Sequence, residues 1–240
     1  MLSFKRWSVD SLLRLLLKLF LTLGLLGVAA AAGERFWTTA PEETRQFWLS
    51  LSAGMAMQVS SLVLVALFLR ENALDWRDAF GLTTQRAGWM VGLGVAAAGV
   101  VFGAALVLIS GSRWLMELVH LTPQAQSTVE ALRDTSDWTR QFAIGVTTVL
   151  LAPVFEEVLF RGLLYPAVKQ AGLPRTALWG TALLFAASHL NLLTFVPLVF
   201  FAVVLTLLYE RTDNLLAPIA AHAAFNLTNF LWVLCGGATR

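Results

Sequence analysis

Long runs of apolar residues alternate with short charged stretches along most of this chain. A helix that crosses a ~30 Å hydrocarbon core needs about 20 mostly apolar residues. The pattern predicts an all-α, polytopic transmembrane bundle of about seven helices, with six to eight as the range. The predicted spans cover residues 12–32, 47–69, 88–110, 141–165, 176–190, 192–209 and 215–235. The fifth span is short and the sixth follows closely, so residues 176–209 also suit a helical hairpin or a broken helix.

Composition supports a membrane protein and narrows its partners. Charged residues make up 13% of the chain and mean hydropathy is +0.71, whereas soluble domains are about a quarter charged. A net charge of +2 gives no basis for nucleic-acid binding. We therefore expect the lipid bilayer as a partner and no nucleic acid. The single cysteine, Cys235, excludes an intrachain disulfide and a cysteine-based metal cluster.

The distribution of Lys and Arg between the loops predicts the orientation, because these residues are more frequent in cytoplasmic loops. With seven spans, the side that holds the N-terminus carries ten of these residues: Lys5, Arg6, Arg14, Lys18, Arg70, Arg77, Arg86, Lys169, Arg175 and Arg211. The opposite side carries six: Arg35, Arg45, Arg113, Arg133, Arg140 and Arg240. We expect a multi-pass protein of the bacterial inner membrane with its N-terminus in the cytoplasm. Residues 1–33 also resemble a signal peptide, but Arg14 and Lys18 interrupt the apolar segment and argue against cleavage.

Two adjacent acids, Glu156 and Glu157, lie within an apolar stretch. Ionisable residues at membrane depth are energetically costly and by default mark a functional site or an internal pair. Arg161 follows Glu157 by four residues, the favourable order for an ion pair on one helix face. Glu156 then points elsewhere without a local partner, which suits a general base. In the alternative interpretation both acids are structural, one bound to Arg161 and one to another helix.

Three further polar residues lie in the last spans: His189, His222 and, one turn after it, Asn226. They avoid lipid only if they converge with the acids in the interior of the bundle. A Glu and a His can deprotonate a water molecule, and a His with an amide can stabilise an oxyanion. Glu156, His189 and His222 are equally suited to hold a divalent metal such as zinc, so the cofactor stays open between zinc and none. We predict that His120, the third histidine of the chain, is a surface residue.

Three motifs in the second half resemble those of one family. They are Glu156-Glu157-Val-Leu-Phe-Arg161, Phe185-Ala-Ala-Ser-His189 and His222-Ala-Ala-Phe-Asn226. In this order and spacing they resemble the CAAX prenyl protease and bacteriocin-processing family of intramembrane proteases, called CPBP or Abi. The resemblance covers roughly residues 142–232. We therefore divide the chain into residues 1–140, without a recognisable motif, and a CPBP-like catalytic core at 141–235.

The resemblance implies an intramembrane endopeptidase that hydrolyses a membrane-associated protein or peptide, whether CAAX-like and prenylated or not. By this resemblance Glu156 is the catalytic base, and His189 helps to activate the water. His222 and Asn226 stabilise the oxyanion, while Glu157 and Arg161 support the site. The family has been described both as metalloproteases and as glutamate proteases without metal. Two alternatives stay open: a non-catalytic CPBP-like scaffold and a small transporter, although the chain shows no internal duplication of the transporter type.

Helix rise gives an expectation for access to the site. Glu156 lies ~22 Å from the outer start of its span and His222 ~12 Å from the cytoplasmic start of its own, at 1.5 Å per residue. We therefore expect a cavity that opens toward the cytoplasm. His189 fits this arrangement only if the fifth and sixth spans form a tilted or broken hairpin.

Overall fold

The computed structural model describes residues 2–3, 5, 7–36, 39 and 41–237, and in this part of the chain all regular structure is helical. Arg6 and Arg240, which contribute to the charge distribution, lie outside the described residues. The helices are α1 Val9–Phe36, α2 Glu42–Glu71, α3 Trp76–Phe80, α4 Ala87–Leu118, α5 Ser127–Arg133, α6 Trp138–Gln170, α7 Pro174–Ser188, α8 Leu192–Thr212 and α9 Leu216–Leu234.

Within the described ranges, five helices are long and apolar enough to cross a membrane: Val9–Gly33, Glu42–Glu71, Ala87–Leu118, Trp138–Gln170 and Leu192–Thr212. The all-helical, polytopic class is confirmed, while the count of about seven spans is not. The other two predicted spans are helical but differ from ordinary spans. Helix α7 has 15 residues, ~22 Å at 1.5 Å per residue, which is shorter than the hydrocarbon core. Helix α9 carries His222, Asn226 and Asn229, which lower its hydropathy.

The chain forms two compact units, residues 6–79 and residues 80–240 with residues 1–5. In the first unit, α1 packs against α2, and the ring of Trp7 meets that of Phe68 edge to face at 5.8 Å. The second unit contains α4 to α9 and every predicted site residue. The predicted domain boundary at residue 140 rests on motif content and stays a prediction.

Helix α6 is interrupted by two π-helical stretches, Val146–Leu151 and Val158–Leu164. Such wide turns are rare in proteins, and those that do occur are often found at functional sites. A proline follows each stretch, Pro153 in one case and Pro166 in the other. A proline inside an α-helix has no N–H to donate, and its ring clashes with the carbonyl four residues earlier. The wide turns accommodate these prolines without ending the helix, and they bracket the segment Ala152–Glu157 that carries the acidic pair.

The core of the second unit lies where α4, α6, α7, α8 and α9 meet. Aromatic and small side chains alternate there, which allows the helices to approach closely. Phe185, Ala202 and Leu205 are completely buried. The buried cluster comprises Val101, Phe160, Ala182, Phe185, Ala186, Leu198, Phe201, Ala202, Leu205, Leu208 and Ala221.

Helices α4 and α9 pack closely through small residues. A β-carbon added to Gly94 would lie 2.5 Å from the carbonyl oxygen of Ala217 and 2.9 Å from the backbone nitrogen of Ala221. Only glycine permits this approach of two backbones. Because His222 follows Ala221 directly, the contact at Gly94 fixes the depth at which α9 presents that histidine.

The turn between α8 and α9 is held by backbone contacts. Asp213 adopts a left-handed conformation (φ 48°), and a β-carbon on Gly81 would lie 1.8 Å from its carbonyl oxygen. The backbone N–H of Leu215 donates to the carbonyl of Phe80 at 3.1 Å. The buried ammonium of Lys5 lies 4.0 Å from the Asp213 carboxylate. Burial lowers the pKa of Lys5, while the charge of Asp213 acts in the opposite direction. These contacts anchor the start of α9.

A substitution at Gly94 tests this packing. The Gly94→Ala variant should destabilise the protein by about 1–3 kcal/mol, since the added methyl group forces the α9 backbone to move. Gly92→Ala is the matched control, because a β-carbon there meets no atom within 4 Å and alanine favours a helix over glycine. Thermal unfolding of the purified protein in detergent measures both. Equal stability of the two variants would contradict the close approach of α4 and α9.

Candidate functional site

Three predicted site residues from three parts of the fold converge on one carboxylate oxygen. Oε2 of Glu156 in α6 lies 4.0 Å from Nε2 of His189, which follows α7, and 3.8 Å from Nε2 of His222 in α9. Glu156 and His189 are partly exposed, with side-chain exposures of 20% and 23%, and His222 is buried, with a side-chain exposure of 4%. The structure thus provides a largely enclosed meeting point for one acid and two imidazoles.

Hydrogen bonds to the other ring nitrogens assign the tautomers of both histidines. Nδ1 of His189 lies 2.8 Å from the carbonyl oxygen of Phe185, which only accepts, so Nδ1 carries the hydrogen. Nδ1 of His222 donates in the same way to the Glu157 carboxylate at 2.8 Å. In the neutral rings both Nε2 atoms are therefore acceptors that face Glu156 Oε2, itself a buried atom without a protein partner. Converging acceptors suit a shared donor such as water, whose two hydrogens can serve two of them.

The second acid, Glu157, is a structural link between helices. Its side chain is fully buried, and its Oε1 accepts from Arg161 Nη1 at 2.7 Å and from His222 Nδ1 at 2.8 Å. The predicted ion pair with Arg161 is confirmed. Arg161 also donates through Nη2 to the carbonyl of Ala202 in α8 at 3.1 Å. One carboxylate and one guanidinium therefore join α6 to α8 and α9.

Aromatic rings enclose these polar groups. The Phe185 ring lies 4.6 Å from the Arg161 guanidinium, 4.9 Å from the His189 ring and 5.8 Å from the His222 ring. Phe201 meets the other side of His222 edge to face at 5.1 Å. Phe185 thus touches three polar members of the site, a role that sequence reasoning missed. The available signal was its position four residues before His189, at the start of the second motif.

Asn226 lies one turn beyond His222 and makes a contact with α6 that the sequence analysis did not predict. Its Nδ2 donates to the carbonyl of Thr148 at 2.8 Å. The Ala152 N–H bonds to the carbonyl of Thr147, and the same spacing assigns the Thr148 carbonyl to residue 153, a proline without an N–H. Asn226 supplies the missing donor, so it closes the gap that Pro153 leaves in α6.

The remaining histidine lies apart from this group. His120 is exposed and follows the end of α4 in a left-handed conformation (φ 59°). Its predicted surface position is confirmed.

The site atoms lie wider apart than the ligands of a bound zinc ion. Two ligands of a tetrahedral zinc lie about 3.4 Å apart, whereas the nitrogen-to-oxygen distances here are 3.8 and 4.0 Å. Among the described residues, no group of three or more His, Cys, Asp or Glu side chains is placed to hold a metal ion.

Comparison with known proteins identifies the same segment. Residues 138–228, less than half of the chain, match the family model described as type II CAAX prenyl endopeptidase Rce1-like. These residues belong to the CPBP family. The CPBP segment contains all six predicted site residues, and with the apolar helices it indicates an integral membrane enzyme of the CAAX protease type. No curated protein and no solved structure matches the chain.

The buried pair of Glu157 and Arg161 can be tested by removing its members in turn. Arg161→Met should destabilise the protein by about 3–5 kcal/mol, because the Glu157 carboxylate then stays buried without its cation. The double variant Glu157→Gln/Arg161→Met should recover part of this loss, since no unpaired charge is left. Chemical denaturation in detergent measures both.

The control for this cycle is Lys18→Met, which breaks an exposed ion pair with Glu71 and should change stability by less than about 1 kcal/mol. If Arg161→Met were as stable as Lys18→Met, the pair would not carry the structural role given to it.

Proposed function

We propose that this protein is an intramembrane endopeptidase that cleaves a peptide bond in a membrane-associated protein or peptide, with Glu156 as the base. The convergence of Glu156 Oε2, His189 Nε2 and His222 Nε2 carries the proposal. These atoms come from different elements and face one another, and the two hydrogens of a water molecule among them would be directed at Glu156 Oε2 and His189 Nε2.

Glu156 takes a proton from this water while the water oxygen attacks the carbonyl carbon of the scissile bond. His189 orients the water through Nε2, since its Nδ1 is bonded to Phe185. The carbonyl oxygen becomes an oxyanion as the new carbon–oxygen bond forms. The carbon–nitrogen bond then breaks, and the proton held by Glu156 passes to the leaving amine. Water is thereby divided between the two products.

The oxyanion requires hydrogen-bond donors, and we assign this role to His222 and Asn226. His222 already donates through Nδ1 to Glu157, so a hydrogen on Nε2 makes the ring an imidazolium. The carboxylate of Glu157 stabilises that positive charge, which gives Glu157 and its partner Arg161 a supporting role. Asn226 has two hydrogens on Nδ2, one of which binds Thr148, and the second is the donor required here.

The substrate class and the orientation belong to the same proposal. The family of residues 138–228 supports a CAAX-like, prenylated substrate, and other membrane-associated peptides share its chemistry at the scissile bond. The Lys and Arg distribution supports a cytoplasmic N-terminus, and a bacterial inner membrane is part of the same proposal.

Replacement of the proposed base is the direct test. Glu156→Gln keeps the size of the side chain and removes its basicity, so cleavage should fall by ~10²-fold or more. Glu130→Gln alters an exposed acid in α5 and should leave cleavage unchanged. The assay is mass spectrometry of membrane-tethered peptides, with and without a prenyl group, incubated with purified protein in nanodiscs, and thermal unfolding confirms that each variant is folded.

The same assay separates the roles of the two acids. Normal cleavage by Glu156→Gln, together with a stable but inactive Glu157→Gln, would mean that the roles are reversed. Cleavage of neither peptide by the wild type would instead favour a scaffold or a transporter.

A chelation experiment tests the reaction without metal. Because the site atoms lie wider apart than zinc ligands, cleavage should persist in EDTA and in a zinc-selective chelator, and elemental analysis should find substoichiometric zinc. Loss of cleavage on chelation, with recovery on adding zinc, would show that Glu156, His189 and His222 rearrange to bind a metal.

A further inference from the structure

The turn between α7 and α8 carries His189 and includes one residue, Leu190, that contributes almost no packing. Helix α7 ends at Ser188, and His189 is the first residue beyond it. Leu190 adopts a left-handed conformation (φ 49°), which is unfavourable for a bulky residue. Its side chain is 94% exposed, so it makes almost no packing contact with the protein. Contacts from elsewhere must stabilise this conformation.

Two hydrogen bonds supply such contacts from the segment that precedes α5. Asn191 donates through Nδ2 to the carbonyl of Gln124 at 3.0 Å. Gln126 donates through Nε2 to the hydroxyl of Thr194 at 3.0 Å. Asn191 also caps α8, because its Oδ1 accepts from the backbone N–H of Thr194 at 3.0 Å. The segment 124–126 therefore holds both the turn and the first residues of α8.

We propose that Gln126 and Asn191 are positioning residues, which fix the turn so that Nε2 of His189 is directed at Glu156. This inference rests on the proposed function of His189. It extends the functional machinery beyond residues 138–228, since residues 124–126 lie outside the family match.

The geometry of the site makes such positioning consequential. The hydrogen bond from His189 Nδ1 to the Phe185 carbonyl fixes the orientation of the imidazole ring relative to the last turn of α7. The last turn of a helix frays readily when it is not held. Because a displacement of about 1 Å at a catalytic group can cost ~10²-fold in rate, a relaxed turn should lower the rate of the chemical step.

Two variants loosen the turn in different ways. Gln126→Ala removes the bond to Thr194. Asn191→Asp keeps the oxygen that caps α8 and loses the donor to Gln124, so it isolates the contact between the segments. Gln141→Ala is the matched control, because Gln141 also ties a loop by donating to the carbonyl of Thr135 at 3.1 Å, away from the turn.

Steady-state cleavage should distinguish positioning from binding. We expect kcat to fall about tenfold or more in Gln126→Ala and Asn191→Asp, with KM changed less than about twofold. Gln141→Ala should match the wild type in both constants. A loss of kcat in the control as large as in the two variants, or an effect on KM alone, would overturn the proposal.

A spectroscopic measurement tests the same inference without any need for cleavage. The chain has three histidines, so ¹⁵N-histidine labelling gives three imidazoles, assigned by His→Asn variants of each. The His189 resonances should shift or broaden in Gln126→Ala and Asn191→Asp, while those of His222 stay unchanged. Unchanged His189 resonances would overturn the positioning role, even if kcat fell. A wild type that cleaves no peptide would contradict the proposed function and leave this measurement decisive.

Discussion

The arrangement of the site depends on one buried carboxylate, that of Glu157. An ionised acid inside a low-dielectric bundle is strongly destabilising unless it is paired and hydrogen-bonded. Oε1 of Glu157 meets this requirement by accepting from Arg161 and from His222. Arg161 in turn reaches the backbone of α8 at Ala202. The need to satisfy one charge therefore fixes the relative positions of three helices, and with them the side of His222 that faces Glu156.

The parts of the site that could be predicted from the sequence are those that follow from local spacing or from the cost of lipid exposure. The pair of Glu157 and Arg161 depends only on an i,i+4 relation, and it is present. The meeting of Glu156, His189 and His222 follows from the exclusion of polar groups from lipid. The bond from Glu157 to His222 joins residues 65 positions apart, and no local pattern contains it.

Other features escaped prediction because the pattern of apolar residues does not contain them. The contact of Asn226 with Thr148 exists because a proline removes the backbone donor for that carbonyl, while the expected oxyanion role of Asn226 stays a prediction. The number of spans was expected to be about seven on apolar length alone, but α7 is too short and α9 too polar to resemble ordinary spans.

The two π-helical stretches of α6 have a consequence for how the acidic pair is aimed. Each such turn corresponds to an α-helix with one residue inserted. Removing one residue from Val146–Leu151 would leave a continuous helix but would rotate the chain before it by ~100° relative to the chain after it. The N-terminal half of α6, which includes Thr148, would then turn away from α9. Glu156 and Glu157 would keep the same neighbours in the sequence. The count of residues in these turns, and not only their chemical identity, is therefore part of what makes the site.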